Sequence, residues 1–532
     1  MQDLKNKVYP QINEFSGINT GVSPFNIGDS ESSDERNLWG EHFPSISQRM
    51  EREVFISKSN PEEILQIEEI LHIGYLFDGD LFCVGKEPGK DYYGFYKYNT
   101  VSTKWEAFID TYIDGHHEYF TPTLFRGKIT FDKEHKVVST NWSGNKTVVS
   151  PGYIWRRTKK GTQTIKTDCI AYIIYKKEKK DNEGNILQSE YVCREISGIR
   201  QTTESGADEI DVRNLVGPIN FMQVKDNRLI TGSKELPNMA VTMYGEFSYR
   251  AADDTAIFEI ATETGDNCTA LAAFGDMILY FKRYSTYILY GKTPDSYYLD
   301  NLSGSVGCVA QGSIAEVGGG VMWLGADGVY AYSATTRPYK ISQRVEKFID
   351  NIDDEENACG VSDGRYYYLS VKQKNGEYVI LVFDSERSVW HVWDGAPYKQ
   401  MIHKNGEIFG FDGDTIYKLL TRPYTGAWHF ISKPFDIGGI SRKSNMHSLF
   451  INVTGKKGAR LKVSISGDGE GDNFKTLFVM GFPTDKNEKK EIKIAPSNDT
   501  RNMKYLRLKF EGQGECLVHG IEVYMRVKGR SY

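Results

Sequence analysis

A hairpin signal that returns at a near-constant interval is what most restricts this chain. An apolar-aromatic run, a polar turn bearing Gly or Asn, and a second run occur at 76–85 (LFDGDLFCVG), 124–131 (LFRGKITF), 224–232 (VKDNRLITG), 273–281 (AFGDMILYF), 317–325 (VGGGVMWLG), 361–369 (VSDGRYYYL) and 403–411 (HKNGEIFGF). Successive markers lie roughly 42 to 50 residues apart, and one double gap between 131 and 224 has room for a further unit near CIAYIIYKK, 169–177. That interval is the spacing of propeller blades. In the fullest copy, GCVAQGSIAEVGGGVMWLGADGVYAYS, Val321 to Leu324 form a strand, Gly325 to Gly328 reverse the chain and Val329 to Tyr332 return it. Gly318, Gly319 and Gly320 could cradle a phosphate only if a helix followed, and a β-rich run follows instead.

A four-stranded blade cannot bury both faces alone, so blades stack around an axis and the last closes on the first. The expected fold is therefore all-β, with a propeller of about six to eight blades over residues 56–420. A run of stacked sandwiches is the competing arrangement, but it carries no longer beat. With 13% aromatics and 51 Gly against 16 Pro, short strands and glycine turns are expected throughout. Two helices are expected. One starts at Asn60 and Pro61, with Ile64, Ile67 and Leu71 on a face; the other is capped by Ser342, with Val345, Phe348, Ile349 and Ile352 on a face. Beyond residue 420 the beat stops and period-two alternation takes over in LKVSIS, KTLFVM, KYLRLKF and GIEVYMRV, so residues 421–532 are expected to form an antiparallel sandwich.

Residues 1–55 lack strand or helix periodicity and read as an extended arm. Phe15, Ile18, Phe25, Ile27, Leu38 and Trp39 are apolar anchors that a solvated tail would not need, and they are the candidate inter-subunit contacts. A strap across the chain's own propeller would use the same anchors.

Reactive constellations are thin. The seven cysteines are scattered, never in C-x-x-C spacing, and are expected to be reduced and buried. Asp353, Asp354, Glu355 and Glu356 lack the alternating ligand spacing of a calcium loop. His116 and His117, followed by Glu118, point to opposite faces of any strand and cannot share one ion without a bend. G-x-S-x-G, H-E-x-x-H and P-loop patterns are absent from the sequence, so the expectation is a protein that is not an enzyme, with no cofactor and no metal site. A formal net charge of -6 disfavours tight sequence-independent DNA binding. No apolar run reaches the length of a membrane span, and the N-terminus lacks a signal's apolar core, so synthesis in a cytoplasm is expected.

Three patches carry a family resemblance. FSGINTGVSPFNIGDSESSDERNLW resembles the N-terminal arm of tail proteins of double-stranded DNA phages; GCVAQGSIAEVGGGVMWLGADGVYAYS with the following ISQRVEKFI resembles their most recognisable blade and the helix after it; YLRLKFEGQGECLVHGIEVYM is similar to their C-terminal strands. The resemblance implies a structural virion protein, akin to the tail hub or nozzle of short-tailed phages, assembled as a homo-oligomeric ring commonly of six. Other tail and portal or adaptor proteins would be its partners, and genome DNA would pass through without specific binding. A neutral or acidic lumen would let DNA slide, whereas a basic one would hold it. A large insertion for docking a tail fibre is not evident in the sequence. Two other classes stay open: a receptor- or glycan-binding tail component that uses the sandwich, and a glycan-cleaving propeller.

Overall fold

The computed structural model describes residues 7–57, most of 67–109, strands between 129 and 211 by their backbone alone, and 219–528 apart from short loop stretches. Six four-stranded antiparallel sheets and one larger sheet are arranged about an axis. The first blade spans Glu69–Tyr75 to Lys104–Ile109. The second is the larger sheet, in which Val138–Trp142, Lys146–Ser150, Gln163–Lys180 and Ile186–Ser197 run from inner to outer edge. The third spans 221–259, the fourth 270–303, the fifth 315–340 and the sixth 359–394. The seventh takes Gln400–Lys404, Glu407–Phe411 and Thr415–Pro423, and its fourth strand is Met50–Ser57 from the other end of the sequence. This is the strand that closes the ring.

The innermost strands of blades one, two, three and four adjoin in turn, as do those of blades five, six, seven and one. Shared cores fill the spaces between blades. Leu279, Phe281 and Ile288 of the fourth meet Val321, Trp323 and Tyr330 of the fifth. Leu369, Leu381 and Phe383 of the sixth meet Met322, Leu324 and Val329 of the fifth. Ile56, Phe411 and Ile416 of the seventh meet Ile73, Cys83 and Tyr96 of the first. One side-chain device recurs at these seams. The Gln311 amide accepts the Leu271 N–H at 2.7 Å and donates to the Leu271 carbonyl at 3.0 Å, and Gln400 treats Ile73 likewise at 3.1 and 2.8 Å. The second clamp lies at the seam where the ring closes.

The repeating sequence markers are, from blade three onward, the hairpins between first and second strands. Asp226 and Asn227, Gly318 and Gly319, and Asn405 and Gly406 all take positive φ there, which two-residue hairpin turns demand. The markers at 124–131 and 169–177 fall in the same sheet, because Ile129–Phe131 pairs with Ile154–Lys160, which in turn pairs with Gln163–Lys180. The proposed helix from Asn60 lies for the most part outside the described residues, and where it returns to view Glu69–Tyr75 is strand. The second helix is short: one tight turn and then Glu346–Ile349, with Val345, Phe348 and Ile349 buried. Ser342 does not cap it. Its hydroxyl instead accepts the Val329 N–H at 3.0 Å, fixing the fifth blade's hairpin.

The remaining strands form two sheets over one core. Ser444–Gly455 lies between Glu488–Ile494 and Cys516–Val527, and the latter also takes Lys7–Ile12 and Ile46–Gln48. The second sheet runs Ser32–Arg36, Ala427–Ser432, Arg507–Gln513, Arg460–Ser466, Lys475–Gly481. Residues 7–48 are thus built into this unit, supplying strands to both its sheets, and 50–57 belong to the propeller. The separate arm expected over 1–55 is replaced by edges of two other bodies, because extended backbone finds its hydrogen bonds most economically on open sheet edges.

Candidate functional site

Two places concentrate polar side chains: the propeller axis, and the seam where residues 15–49 pass between propeller and sandwich.

On the axis, strands of blades one, five, six and seven enclose a cavity of about 490 Å³. Its titratable lining comprises Tyr75, Glu316, Asp363 and His403. Asp363 is already committed: one carboxylate oxygen accepts the N–H groups of Arg365 at 3.0 Å and Tyr366 at 2.7 Å, and the other accepts the Tyr368 hydroxyl at 3.0 Å. Burial, with Glu407 adding to it, holds the Tyr75 phenol well above its ordinary range, so it stays a neutral donor. That leaves Glu316, exposed, and His403, whose Nε2 is buried without a hydrogen-bond partner among the described residues.

Three of the four acids of the run 353–356 are taken up by ion pairs. Glu355 pairs with Arg283 of the fourth blade, Glu356 with Lys234 of the third at 3.4 Å, and Asp353 with Lys372 at 2.7 Å. Since residues 353–357 lead straight into the sixth blade's innermost strand, the Glu356 pair is a chord spanning three blades. Among the described residues no group of three His, Cys, Asp or Glu could hold a metal. His116 and His117 lie outside the described residues. Cys83, Cys268, Cys308, Cys359 and Cys516 are buried free thiols, and desolvation pushes the Cys308 and Cys359 thiols up to about 12, which leaves them unreactive.

At the seam the anchors are spent inside the chain. Phe15 packs edge-on to Phe430, ring centres 5.3 Å apart, and Leu38 joins the same sandwich core. Ile18 sits in the core of blades five and six, its N–H donating to the Trp390 carbonyl at 2.9 Å. Trp39 packs on Tyr366 and Trp393, and the Trp393 indole donates to the Leu38 carbonyl at 2.6 Å. Ile27 is buried as well, and half-buried Phe25 meets Tyr505 at 5.0 Å. Five of the six anchors are thus buried against residues of their own chain, as a strap would bury them, and Phe25 alone keeps part of its ring exposed. The seam is further fixed by Glu35 on His391 at 2.7 Å, both fully buried, by Asp34 on His429 at 3.1 Å, and by Asn37, whose amide donates to Asp394 at 2.6 Å. None of these polar residues stands out in the sequence, since SSDERN reads as a solvated loop until its strand partner at 427–432 is known.

Neither a family model nor a curated protein matches the chain. Solved structures similar to it are propellers. The WD40 domain of Neurospora crassa Pan2 is 8% identical over 70% of this chain and 94% of that one, with a TM-score of 0.33. Trypanosoma rangeli sialidase is 7% identical over 89% and 96%, TM-score 0.31, and the exo-β-1,3-galactanase of Phanerochaete chrysosporium 8% over 89% and 100%, TM-score 0.25. At such identities the likeness concerns the fold alone. It nevertheless corrects the expectation of a protein that is not an enzyme: the similar propellers include a sialidase and a galactanase. Missing sequence motifs are a poor guide on this architecture, where reactive groups come together from separate blades.

Proposed function

We propose that this chain is a structural virion protein of a phage tail, a hub or nozzle that assembles as a ring, commonly of six, beneath the portal or adaptor and through which genome DNA passes. The observation that carries this reading is spatial. The three sequence patches that resemble tail proteins are far apart in the chain and adjacent in the fold. Ser32–Arg36 pairs with Ala427–Ser432, which pairs with Arg507–Gln513, and Phe15 and Leu38 share a core with Leu508, Phe510 and Val523. Ile18 enters the core that contains Val309, Leu324 and Val329 of the second patch. A shared resemblance in three patches that form one contiguous block supports a common architecture rather than three coincidences.

The reading also says where the conduit lies. The innermost strands of the propeller adjoin one another about its axis, so in a ring of subunits the opening for DNA would lie between subunits. Electron microscopy of the purified chain tests it. Rings with a central opening of about 20 Å or more and an acidic or neutral lining are expected; a monomer at every concentration, or a lumen rich in Lys and Arg, would overturn it.

A further inference from the structure

The third strand of the second blade is longer than a blade requires. Gln163–Lys180 has 18 residues, where the third strands of blades three to six have four to seven. One side of it pairs with Ile186–Ser197; on the other, residues 172–175 pair with Lys146–Ser150 and residues 163–169 with Ile154–Lys160, which in turn carries Ile129–Phe131. The sheet thus continues past the blade as a three-stranded flange. Among the described residues, Ile129–Phe131 and Ile154–Lys160 have each other and Gln163–Lys180 as their substantial neighbours, so the flange stands largely clear of the rest of its own chain. An antiparallel sheet this small needs a partner to cover an apolar face.

The register gives the flange two unlike faces. One carries Phe131, Ile154 and Cys169 in a row, then Ile129, Arg156 and Thr167, then Thr158 and Ile165, then Lys160 and Gln163. It is an apolar strip that ends in cations. Residues 154–169 hold five Lys or Arg against Asp168, a charge of +4 in a chain whose total is -6, so the remainder stands at -10. Copies of this chain therefore repel overall and attract where the flange of one meets the body of another. A nucleic acid fits less well, because phosphates leave the apolar strip uncovered and the acidic remainder repels them.

The outer edge of the fourth blade has the opposite character. Tyr298 opens its outermost strand, 62% exposed, and stacks on Tyr290 of the neighbouring strand with ring centres 6.4 Å apart. Asp295 and Asp300 flank it, exposed and without a cation partner among the described residues, while Lys292 is matched by Asp276 at 3.9 Å. Open tyrosine rings beside unpaired carboxylates suit both an apolar strip and the cations at its end.

We infer that the flange of the second blade docks on the fourth blade's outer edge in a second copy of this chain, its apolar strip on Tyr290 and Tyr298, and Arg156 and Lys160 on Asp295 and Asp300. Two different surfaces meet, so the contact repeats head to tail and either closes or runs open. Closure into a ring rests on the reading above; the contact itself does not.

The test is sedimentation velocity of the full chain across protein concentration and salt, with circular dichroism as the check on folding. The wild-type chain is expected to self-associate, and less so as salt rises. Arg156→Glu with Lys160→Glu, and separately Asp295→Lys with Asp300→Lys, should each weaken association at least about tenfold. An equimolar mixture of the two double variants should recover it, because each reversed surface then finds its opposite. Arg156→Gln with Lys160→Gln reads the same contact should the reversed charges misfold. A monomer at every concentration, flange variants that associate like the wild type, or a mixture that stays monomeric would each overturn the docking. So would a short DNA duplex bound by the wild-type chain and lost by the flange variants, since the flange would then serve nucleic acid. Rings that persist in the flange variants would sink the docking and leave the ring reading standing; open assemblies that the flange variants abolish would do the reverse.

Discussion

At Gly512 an added methyl group would lie 1.9 Å from Trp428 Cζ2 and 2.1 Å from Cε2, so the Trp428 ring owes its seat in the sandwich to a missing side chain. Gly512→Ala is expected to cost about 1–3 kcal/mol by overpacking. Gly406→Ala, with open space but φ of +79°, strains the backbone alone and should cost about 1–2 kcal/mol. Urea midpoints of the two variants check the difference. His72 gives a pH signature. Burial between blades pushes its imidazole down to about 3, against about 6.5 in an unfolded chain. Because the folded value is the lower, the stability that neutral His72 contributes is complete above about pH 6.5 and is lost as pH falls toward 3. Roughly 2 kcal/mol should disappear between pH 6.5 and 5, and His72→Leu should flatten that part of the profile. Asp384 acts at lower pH. Its burial favours the neutral acid, but Arg365 at 2.7 Å and Arg387 at 2.8 Å outweigh it and hold the carboxyl below its ordinary value. Asp384→Asn should cost about 1.5–3 kcal/mol at neutral pH, and less of the loss should remain once pH falls below the folded value.

Among the elements, the inner hairpins from the third blade onward are legible from sequence because each needs at least one φ-positive residue at a fixed position, which Gly, Asn and Asp take most readily. The strand at Ser32–Arg36 was not legible, since its alternation is broken at Asp34 by a register shift and its partner begins 395 residues further on, at Ala427. Strand Ser444–Gly455 was passed over for a related reason: both its neighbours lie downstream, and nothing local marks it. The polar seam is assembled from residues near 34–37, 391–394 and 429, so no window of the sequence could have displayed it. Removing residues 1–40 would strip strands from both sheets of the sandwich and uncover Phe430, Leu449 and Val523. The truncated product is expected to be misfolded or aggregated, measured by circular dichroism and size exclusion; a well-folded monomer would show that the strap is dispensable to its own chain.

On the scale of the whole molecule, propeller and sandwich share the segment from Phe15 to Arg49. Ile18 and Trp39 lie in propeller cores, Phe15 and Leu38 in the sandwich core, with the Glu35–His391 pair buried between. Each lobe therefore loses core side chains if the other opens, and calorimetry should show a single transition whose van't Hoff and calorimetric enthalpies agree. Two resolved transitions would mean that the strap does not couple them. The Met50–Ser57 closure also sets a timetable. Its partner at 415–423 is made more than 350 residues later, which at about 5–20 residues per second is a delay of roughly 20–70 s on the ribosome. Residues 7–57 find their final seats only after that interval, so in a growing chain these strands wait for partners encoded hundreds of residues downstream.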